Sequence, residues 1–473
     1  MMRCRLQRYC RWLLVGAAGA LFGGCAVGPD YHRPAFATTD SYKELGDWKP
    51  SEPSDALSRG EWWTIFNDET LNELEGRVNI SNENIKAAAA NYEQARALVA
   101  QAKAGFWPTV SASLSRARSE QPGTLPPVRT DYSAGVDAAW SLDIWGAIRR
   151  TVESDRASAE SSAALLADAR LSAQAELATD YFELRAQDQL QKLLDDTVVA
   201  ETLSLKITQS RYKFGVAARA DVVSAETQLL SSQAAQVNAR IQRGILEHAI
   251  AVLMGQQPST LTVPRSAIRT DVPTVPPGVP SSLLERRPDV ASAERKMAAA
   301  NAQIGVAVAA WFPSLTLSAT STSTADSLRQ LFKSSTTVWS FGPQLAETLI
   351  DGGLRQAQIA QAKAVYQNSV ASYRQTVLAG FQQVEDQLVT LRVLEEQAVI
   401  EDKTVKAARE AEALTLNQYK AGTVPYSSVI TAQTTRLSAE QTELQVLSSR
   451  LQASVALIEA LGGGWDQSQA TVK

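Results

Sequence analysis

The 473-residue sequence is poor in the residues that most often carry catalytic or metal-binding chemistry. It holds two histidines, His32 and His248, which lie far apart in the chain, and only three cysteines. Active sites and metal centres need clusters of such side chains, so we predict no catalytic residue, no metal site and no cofactor. The formal net charge is −4, and the chain has no run of Lys and Arg that would form a basic stripe. A nucleic-acid partner is therefore not expected.

The sequence also lacks an apolar run long enough for a membrane helix, which needs about 20 residues. The run from Trp12 to Phe22 is shorter, follows four arginines and ends in Gly23-Gly24-Cys25. This pattern predicts a signal peptide over residues 1–24. Because Cys4 and Cys10 are removed with it, the mature chain holds one cysteine and no internal disulfide.

The end of this segment resembles a bacterial lipoprotein signal, in which the cysteine sulfur takes a lipid and its amine becomes the new terminus. The resemblance implies a covalent lipid on Cys25, and Ala26 after it, in place of Asp, implies passage to the outer membrane. Phe22 stands where such signals usually have Leu. An ordinary secretory signal with an incidental cysteine is the alternative.

The chain repeats itself. The tetrapeptide YKFG at 212–215 returns as YKAG at 419–422, which is 207 residues later, and YSAG at 132–135 matches WSFG at 339–342. Such an offset indicates a tandem duplication. We predict an N-terminal segment over 25–60, a first repeat over 61–255, a Pro-rich connector over 256–284, a second repeat over 285–462 and a tail over 463–473.

Each repeat contains two stretches in which apolar and hydroxylic residues alternate, which predicts strands at about 108–118, 132–145, 313–324 and 337–350. One predicted face carries Val136, Ala138, Trp140 and Leu142. A soluble two-layer sheet would show the same alternation. If this face meets lipid, four strands are too few to close a barrel and several chains must share one; three copies give twelve strands.

The remainder of each repeat predicts a long helical hairpin. No proline interrupts residues 146–214 or 352–421, so each helix could reach roughly 100 Å at about 1.5 Å per residue. Apolar residues in the second stretch are three or four positions apart, as in a coiled-coil seam; they are Val370, Tyr373, Val377, Phe381, Val384, Leu388, Leu391 and Leu394. Gly215 and Gly422 are predicted to end these helices at the hairpin tips.

The sequence resembles the TolC-type outer-membrane efflux lipoproteins of tripartite, RND-type systems. The resemblance rests on CAVGPDYHRP at 25–34, WWTIF at 62–66, LDIWG at 142–146, SSLLERRPDVASAE at 281–294, IGVAVAAWFPSLTLSA at 304–319 and both hairpin tips. It implies a mainly α protomer with a small β part. Three protomers would form a twelve-stranded barrel in outer-membrane lipid and a helical tunnel in the periplasm of a Gram-negative bacterium.

The resemblance also implies partners: a periplasmic adaptor at the tips and an inner-membrane pump behind it. The residues carried over as the adaptor-contact region are Tyr212, Lys213, Gly215, Tyr419, Lys420, Gly422 and Thr423. A helix-ending glycine after an aromatic residue needs no partner, so these could equally be structural turns.

Some relatives narrow the periplasmic aperture with aspartates just after the second tip, where this chain has Ser428 and Thr431. The first repeat keeps Asp221, with Arg219 two residues before it. These four residues are candidates for the aperture, and the alternative for Asp221 is an N-cap.

The function implied is a passive exit duct for exported solutes. A duct for polypeptide secretion, a structural coiled-coil lipoprotein and a secreted enzyme are the alternatives. The structural coiled coil leaves the strands without purpose, and the enzyme lacks a catalytic constellation. Asp289 and Glu294, close in sequence to Arg286 and Arg287, are expected to form a solvated helix start.

Overall fold

The computed structural model describes residues 26–33, 42–45, 61–120, 123, 128–275 and 287–463. The chain divides into two compact units, each made of three stretches. Unit 1 comprises Met1–Phe36, Asn91–Ala163 and Ser292–Arg374, and unit 2 comprises Ala37–Ala90, Ala164–Ala291 and Gln375–Lys473. The signal peptide, Cys25, Arg286 and the tail after Gly463 lie outside the described residues.

The described residues contain seven α-helices. They are α1 (Glu69–Ser81), α2 (Glu83–Ala104), α3 (Ala147–Lys213), α4 (Arg219–Leu253), α5 (Pro288–Ala309), α6 (Leu354–Ala421) and α7 (Tyr426–Ala460). The uninterrupted helices α3 and α6 follow the two proline-free stretches, and each is followed by a shorter helix after a tip. None of the helices within the described ranges has the length and apolar content to cross a membrane.

The predicted coiled-coil seam is confirmed by burial along α6 and α7. Val377, Val384 and Leu388 are fully buried, as are Leu451 and Ile458 on the returning helix. Side chains that recur every three or four residues lie on one face of a helix, which is why these positions reach the core together. The seam and not helix propensity therefore stabilises these long helices.

Unit 2 has an aromatic core around a short 3₁₀ helix, Trp62–Phe66. Trp62 is buried and donates its indole N–H to Gln174, and Phe66 contacts the ring of Phe182. The side chain of Asp68 accepts from Leu71 N at 3.1 Å and so caps α1. The WWTIF motif therefore serves the packing of unit 2.

Unit 1 contains a four-stranded antiparallel sheet with the order β1-β2-β3-β4. The strands are β1 (Thr109–Glu120), β2 (Val128–Leu142), β3 (Ser314–Ala325) and β4 (Thr337–Ala346). The alternation that predicted four strands is confirmed. However, β2 begins four residues before the predicted 132 and ends three before 145, because Asp143 instead accepts hydrogen bonds from the N–H groups of Ile148 and Arg149. Strand β4 likewise ends four residues before 350.

The predicted solvated helix start at α5 is wrong. Arg287 is 8% exposed, forms two bonds with Asp289, and donates to Gln383 and to the carbonyl of Ala460. The Arg287 side chain thus joins the start of α5 to α6 and to the end of α7 within unit 2, where the low dielectric requires each buried charge to be paired.

Glu294, on the same helix, is also buried, at 1% exposure, but it belongs to unit 1. It accepts a hydrogen bond from Tyr31 Oη and pairs with Arg295. Both acidic residues of this motif are therefore structural, and one of the two partners of Glu294, Tyr31, comes from the N-terminal segment.

Candidate functional sites: an exposed sheet face and two hairpin tips

The strand register places the apolar residues of all four strands on one face of the sheet. Ala138 of β2 pairs with Val110 of β1 and with Ala319 of β3, which in turn pairs with Phe341 of β4. Paired residues share a face, and so do residues two positions apart along a strand. We call this the apolar face; it includes Val110, Ala112, Leu114, Val136, Ala138, Trp140, Leu142, Leu315, Leu317, Trp339, Phe341 and Leu345.

The opposite face is hydroxylic. Ser111 pairs with Asp137, Asp137 with Thr320, and Thr320 with Ser340, whose hydroxyl lies 2.8 Å from the Thr320 hydroxyl. The sheet thus separates an apolar surface from one that hydrogen-bonds water.

The apolar face is uncovered in the protomer. Leu114, Trp339 and Phe341 expose about seven-tenths of their surface and Val136 half. The sheet is also open at both edges, because β1 and β4 each pair on one side only and the described residues contain no fifth strand. A monomeric soluble protein rarely leaves so large an apolar surface and two free edges unprotected.

Tryptophans gather where the sheet meets the helices of unit 1. Trp107 and Trp311 are exposed, and Trp140 donates its indole N–H to the carbonyl of Phe106 at 2.9 Å. Trp145 stacks on Phe312 with ring centroids 4.6 Å apart. Exposed indoles that border an apolar face are typical of a membrane interface. This tryptophan belt was not predicted from the sequence, although the repeated motif FWP/WFP, at 106–108 and 311–313 just before β1 and β3, could have indicated it.

The residues that follow Cys25 are docked at the same end of the sheet. Val27 N donates to the carbonyl of Trp145 at 3.1 Å, and the buried guanidinium of Arg150 binds the carbonyls of Val27 and Gly28 and the carboxylate of Asp30. Sequence reasoning missed Arg150, because nothing local to it indicates a partner 120 residues earlier.

Both hairpin tips have the same backbone geometry. The N–H of Gly215 donates to Tyr212 O at 2.9 Å, and the N–H of Gly422 donates to Tyr419 O at the same distance. The φ angles of the two glycines are 75° and 81°, in the left-handed region that a residue with a side chain rarely adopts. The duplicated tetrapeptide therefore builds one kind of turn twice.

The side chains of the two tips differ. Tyr212 is 44% exposed, whereas Tyr419 is 3% exposed and lies edge-on to Tyr426, with ring centroids 5.1 Å apart. Position 426 corresponds to Arg219 in the first repeat, so the first tip has an arginine where the second has the aromatic partner of its tyrosine. The expectation that Tyr419 contacts an adaptor needs correction, because its side chain is in the core of the tip. Lys213, Lys420, Gly215, Gly422 and Thr423 are exposed, and their role as contacts stays a prediction.

The candidate aperture residues lie in the first two turns of the returning helices. Arg219 and Thr431 are exposed, and Asp221 and Ser428 are half-buried. The proposed N-cap at Asp221 is wrong, since α4 is preceded by Ala218 as its N-cap residue and has no side-chain capping bond. The role of these four residues in an aperture stays a prediction.

Two exposed apolar stripes run along helices of unit 2. On α4, Val223, Leu230 and Val237 follow one another at intervals of seven, and on α6 Val393, Ile400 and Leu414 do so at seven and fourteen. Side chains at this spacing form the seam of a coiled coil. Both stripes are exposed in the protomer.

Within the described ranges, no group of three or more His, Cys, Asp or Glu side chains is placed to hold a metal ion. His248 is exposed on α4.

A family model, related sequences and solved structures all match this chain to outer-membrane efflux proteins. A family model described as outer membrane efflux protein matches residues 76–256 and 279–463, one match in each half of the chain. The solvent efflux pump outer membrane protein SrpC of Pseudomonas putida is 30% identical over 471 residues, covering 95% of this chain and 97% of the relative. The probable efflux pump outer membrane protein TtgC of Pseudomonas putida KT2440 is 29% identical over 464 residues, covering 96% and 95%. The solved structure of the outer-membrane channel OprN has 31% identity and a TM-score of 0.84, covering 93% of this chain and all of that chain.

Proposed function

The chain belongs to the outer membrane efflux protein family and is an outer-membrane efflux channel protein; from that premise we propose that three copies share one twelve-stranded barrel, to which each contributes the sheet β1–β4. The observation that carries this proposal is the exposed apolar face with two free edges. Unpaired backbone groups cost several kcal/mol each in hydrocarbon, so a lipid-facing sheet must be closed into a ring.

Strand count sets a lower limit on the number of copies. One sheet of four strands is too small for a barrel, whose minimum is about eight, so at least two copies must share one. We propose three, the number that the resemblance to TolC-type proteins implies, which gives twelve strands. The helices favour the same association, because the exposed stripes on α4 and α6 both have the spacing of coiled-coil seams and would be buried if α4 of one copy packed against α6 of the next. Such a head-to-tail contact closes into a ring when the rotation between copies is a simple fraction of a turn.

The efflux role implies two partner proteins. SrpC and TtgC are named as outer membrane proteins of efflux pumps, and we propose that this chain likewise serves an inner-membrane pump of the RND type through a periplasmic adaptor. The adaptor would contact the exposed residues of the two tips. The duct itself is passive and carries out no catalysis, and a lipid on Cys25 would hold the mature N-terminus in the outer membrane.

Cysteine crosslinking between β1 and β4 tests the shared barrel directly. Ser113→Cys in β1 is combined in turn with Cys at Val338, Ser340 or Gly342 of β4, and the intact protein is oxidised in outer-membrane vesicles. The matched control pairs Ser113→Cys with Thr322→Cys in β3, which is an interior strand. The expected result is a disulfide-linked trimer for at least one β1–β4 pair and none for the control.

The oligomeric state and the conductance of the wild type also test the channel proposal. The wild type should run as a heat-modifiable trimer in mild detergent and conduct ions across a planar bilayer. A monomer in the soluble periplasmic fraction, without conductance, would contradict the channel proposal.

A further inference from the structure

The apolar face of β1 becomes basic at one end. Val110, Ala112 and Leu114 are followed in the same phase by Arg116 and Arg118, and residues two apart along a strand share a face. Arg116 pairs with Tyr132 of β2, and its guanidinium lies 5.6 Å from the centroid of that ring. Two arginines therefore continue the surface that the proposed function assigns to lipid.

Among the residues that the structure describes, no ion pair joins these arginines to a carboxylate. Within the described residues neither Arg116 nor Arg118 has a carboxylate oxygen within 4 Å, and Glu120, the next residue on the same face, forms no ion pair with them. Strand β4, which would lie beside β1 in the ring, contains no acidic residue. All twelve residues of β1 are exposed. On a face that meets lipid, where water is scarce, arginines without an ion pair in the protomer need an anion from outside it.

Arg129 provides the contrast at the same level of the sheet. It pairs with Ser119 and so lies on the hydroxylic face, where it forms an ion pair with Asp131 at 2.8 Å. The unpaired cations are thus confined to the face that continues the apolar surface.

The connection between β3 and β4 adds to this rim. Ala325 at the end of β3 pairs with Tyr132, so the connection leaves the sheet at the level of Arg116. It holds two exposed cations, Arg329 and Lys333, against one exposed acid, Asp326, and Phe332 is 80% exposed. Basic and apolar side chains side by side match a surface where hydrocarbon gives way to charged headgroups.

The distance between the two borders of the face fits a bilayer. Tyr132 to Trp140 is a span of nine residues on β2. A tilted transmembrane β-strand needs about 9–11 residues to cross the hydrocarbon of a bilayer. With the tryptophan belt at the helical, periplasmic border, Arg116 and Arg118 lie at the opposite border, in the outer leaflet.

We propose that Arg116 and Arg118 bind the phosphate groups of an anionic glycolipid headgroup in the outer leaflet. This inference rests on the proposed function, because it requires the apolar face to be in the membrane. A guanidinium presents two parallel N–H donors that match two phosphate oxygens, which makes arginine the better residue for such a contact.

Native mass spectrometry of the intact trimer in a neutral detergent tests the inference. The probes are a bisphosphorylated lipid A, the same lipid without its phosphates, and inorganic phosphate. We compare the wild type with R116S/R118S and with the matched control R129S. The wild type should retain the phosphorylated lipid, R116S/R118S should bind it at least about tenfold more weakly, and R129S should bind as the wild type does.

Each other outcome contradicts the inference in its own way. Equal retention by R116S/R118S and the wild type would assign the lipid to other residues. Equal retention of the lipid without phosphates would mean that the contact is apolar only, and full displacement by inorganic phosphate would mean that the site takes free phosphate. Conductance and heat-modifiable trimer are measured on the same samples. A wild type that inserts but binds no phosphorylated lipid contradicts this inference alone, whereas a wild type that does not insert contradicts the proposed function.

Discussion

The guanidinium of Arg211, at the end of α3, lies 4.8 Å from the centroid of the Tyr419 ring at the second tip. Its Nη1 also donates to the carbonyl of Lys420 at 2.6 Å. One side chain of the first hairpin therefore contacts the turn of the second and links the two tips of a protomer.

Replacing Arg211 should loosen the second tip. Arg211→Ala removes a hydrogen bond and a cation–π contact, which together contribute about 1–2 kcal/mol. We expect faster amide hydrogen exchange over residues 416–423, with the trimer intact. Arg219→Ala, at an exposed position after the first tip, is the control and should leave exchange there unchanged. Equal exchange rates in the wild type and in Arg211→Ala would show that the turn at the second tip is stable without Arg211.

Charge reversal at both tips should weaken adaptor binding without affecting the fold. Lys213 and Lys420 are exposed, and surface substitutions typically change stability by less than about 0.5 kcal/mol. In Lys213→Glu/Lys420→Glu we expect normal trimer levels but reduced adaptor crosslinking and export. Lys403→Glu, exposed on α6 away from the tip, is the control. Full export and crosslinking in the double variant would place the adaptor contact elsewhere.

Neighbouring alanines on opposite faces of β2 should respond differently to arginine. Ala138 lies on the apolar face, where a mid-membrane Arg costs about 2–4 kcal/mol, whereas Ala139 lies on the hydroxylic face. Ala138→Arg should lower the trimer yield and its melting temperature. Ala139→Arg should mainly change conductance and ion selectivity, as Ser141→Arg should on the same face. Similar losses of trimer for the two alanine variants would be incompatible with a barrel.

The buried acid Glu75 should make stability depend on pH. Glu75 is fully buried, both carboxylate oxygens lack a hydrogen-bond partner, and burial raises its pKa from 4.5 to about 9. Between these values the folded protein keeps a proton that the unfolded chain has released. Stability therefore falls as pH rises through this window, by at most about 1.4 kcal/mol per unit from this group.

Glu75→Gln keeps the shape and neutrality of the protonated acid and should flatten the slope. Unfolding midpoints measured from pH 5 to pH 9 check this, with exposed Glu73→Gln as the control that keeps the wild-type slope. A slope unchanged by Glu75→Gln would mean that Glu75 is ionised in the folded protein.

Lipidation at Cys25 is testable by metabolic labelling with palmitate. Cys25→Ser should abolish the label, because acylation needs the sulfur. Cys10→Ser, within the signal peptide, should label as the wild type does. If the barrel inserts without the lipid, Cys25→Ser should reduce export only partly. Palmitate incorporated equally into Cys25→Ser and wild type would exclude this site.

The sequence was most informative where a local pattern determines the structure. Period-2 alternation predicted the apolar face, since register follows from burying or exposing one whole side of a strand. The Tyr-Lys-x-Gly repeat predicted both turns, because only glycine adopts a positive φ easily at that position. Even the basic rim was visible in the alternation, as Arg116 and Arg118 continue the phase of Leu114.

Contacts between distant parts of the chain were not predictable in this way. The burial of Glu294 depends on Tyr31, 263 residues earlier, and a charged residue near a helix start gives no sign of such a partner. The two copies of the tip tyrosine look equivalent in sequence. Only Tyr419 is buried, because its neighbour Tyr426 replaces the arginine of the first repeat and because Arg211 packs on the Tyr419 ring.

The free edges of β1 and β4 set the order of events in biogenesis. A single copy would carry two rows of unpaired N–H and C=O groups into hydrocarbon, so copies must meet before or while they cross the membrane surface. Insertion should therefore have a reaction order above one in protomer concentration, and a modest fall in synthesis should lower the number of finished channels more than proportionally. A copy that has not yet met its partners exposes two strand edges. We therefore expect proteolysis and aggregation to be most frequent between the folding of one chain and its assembly with the others.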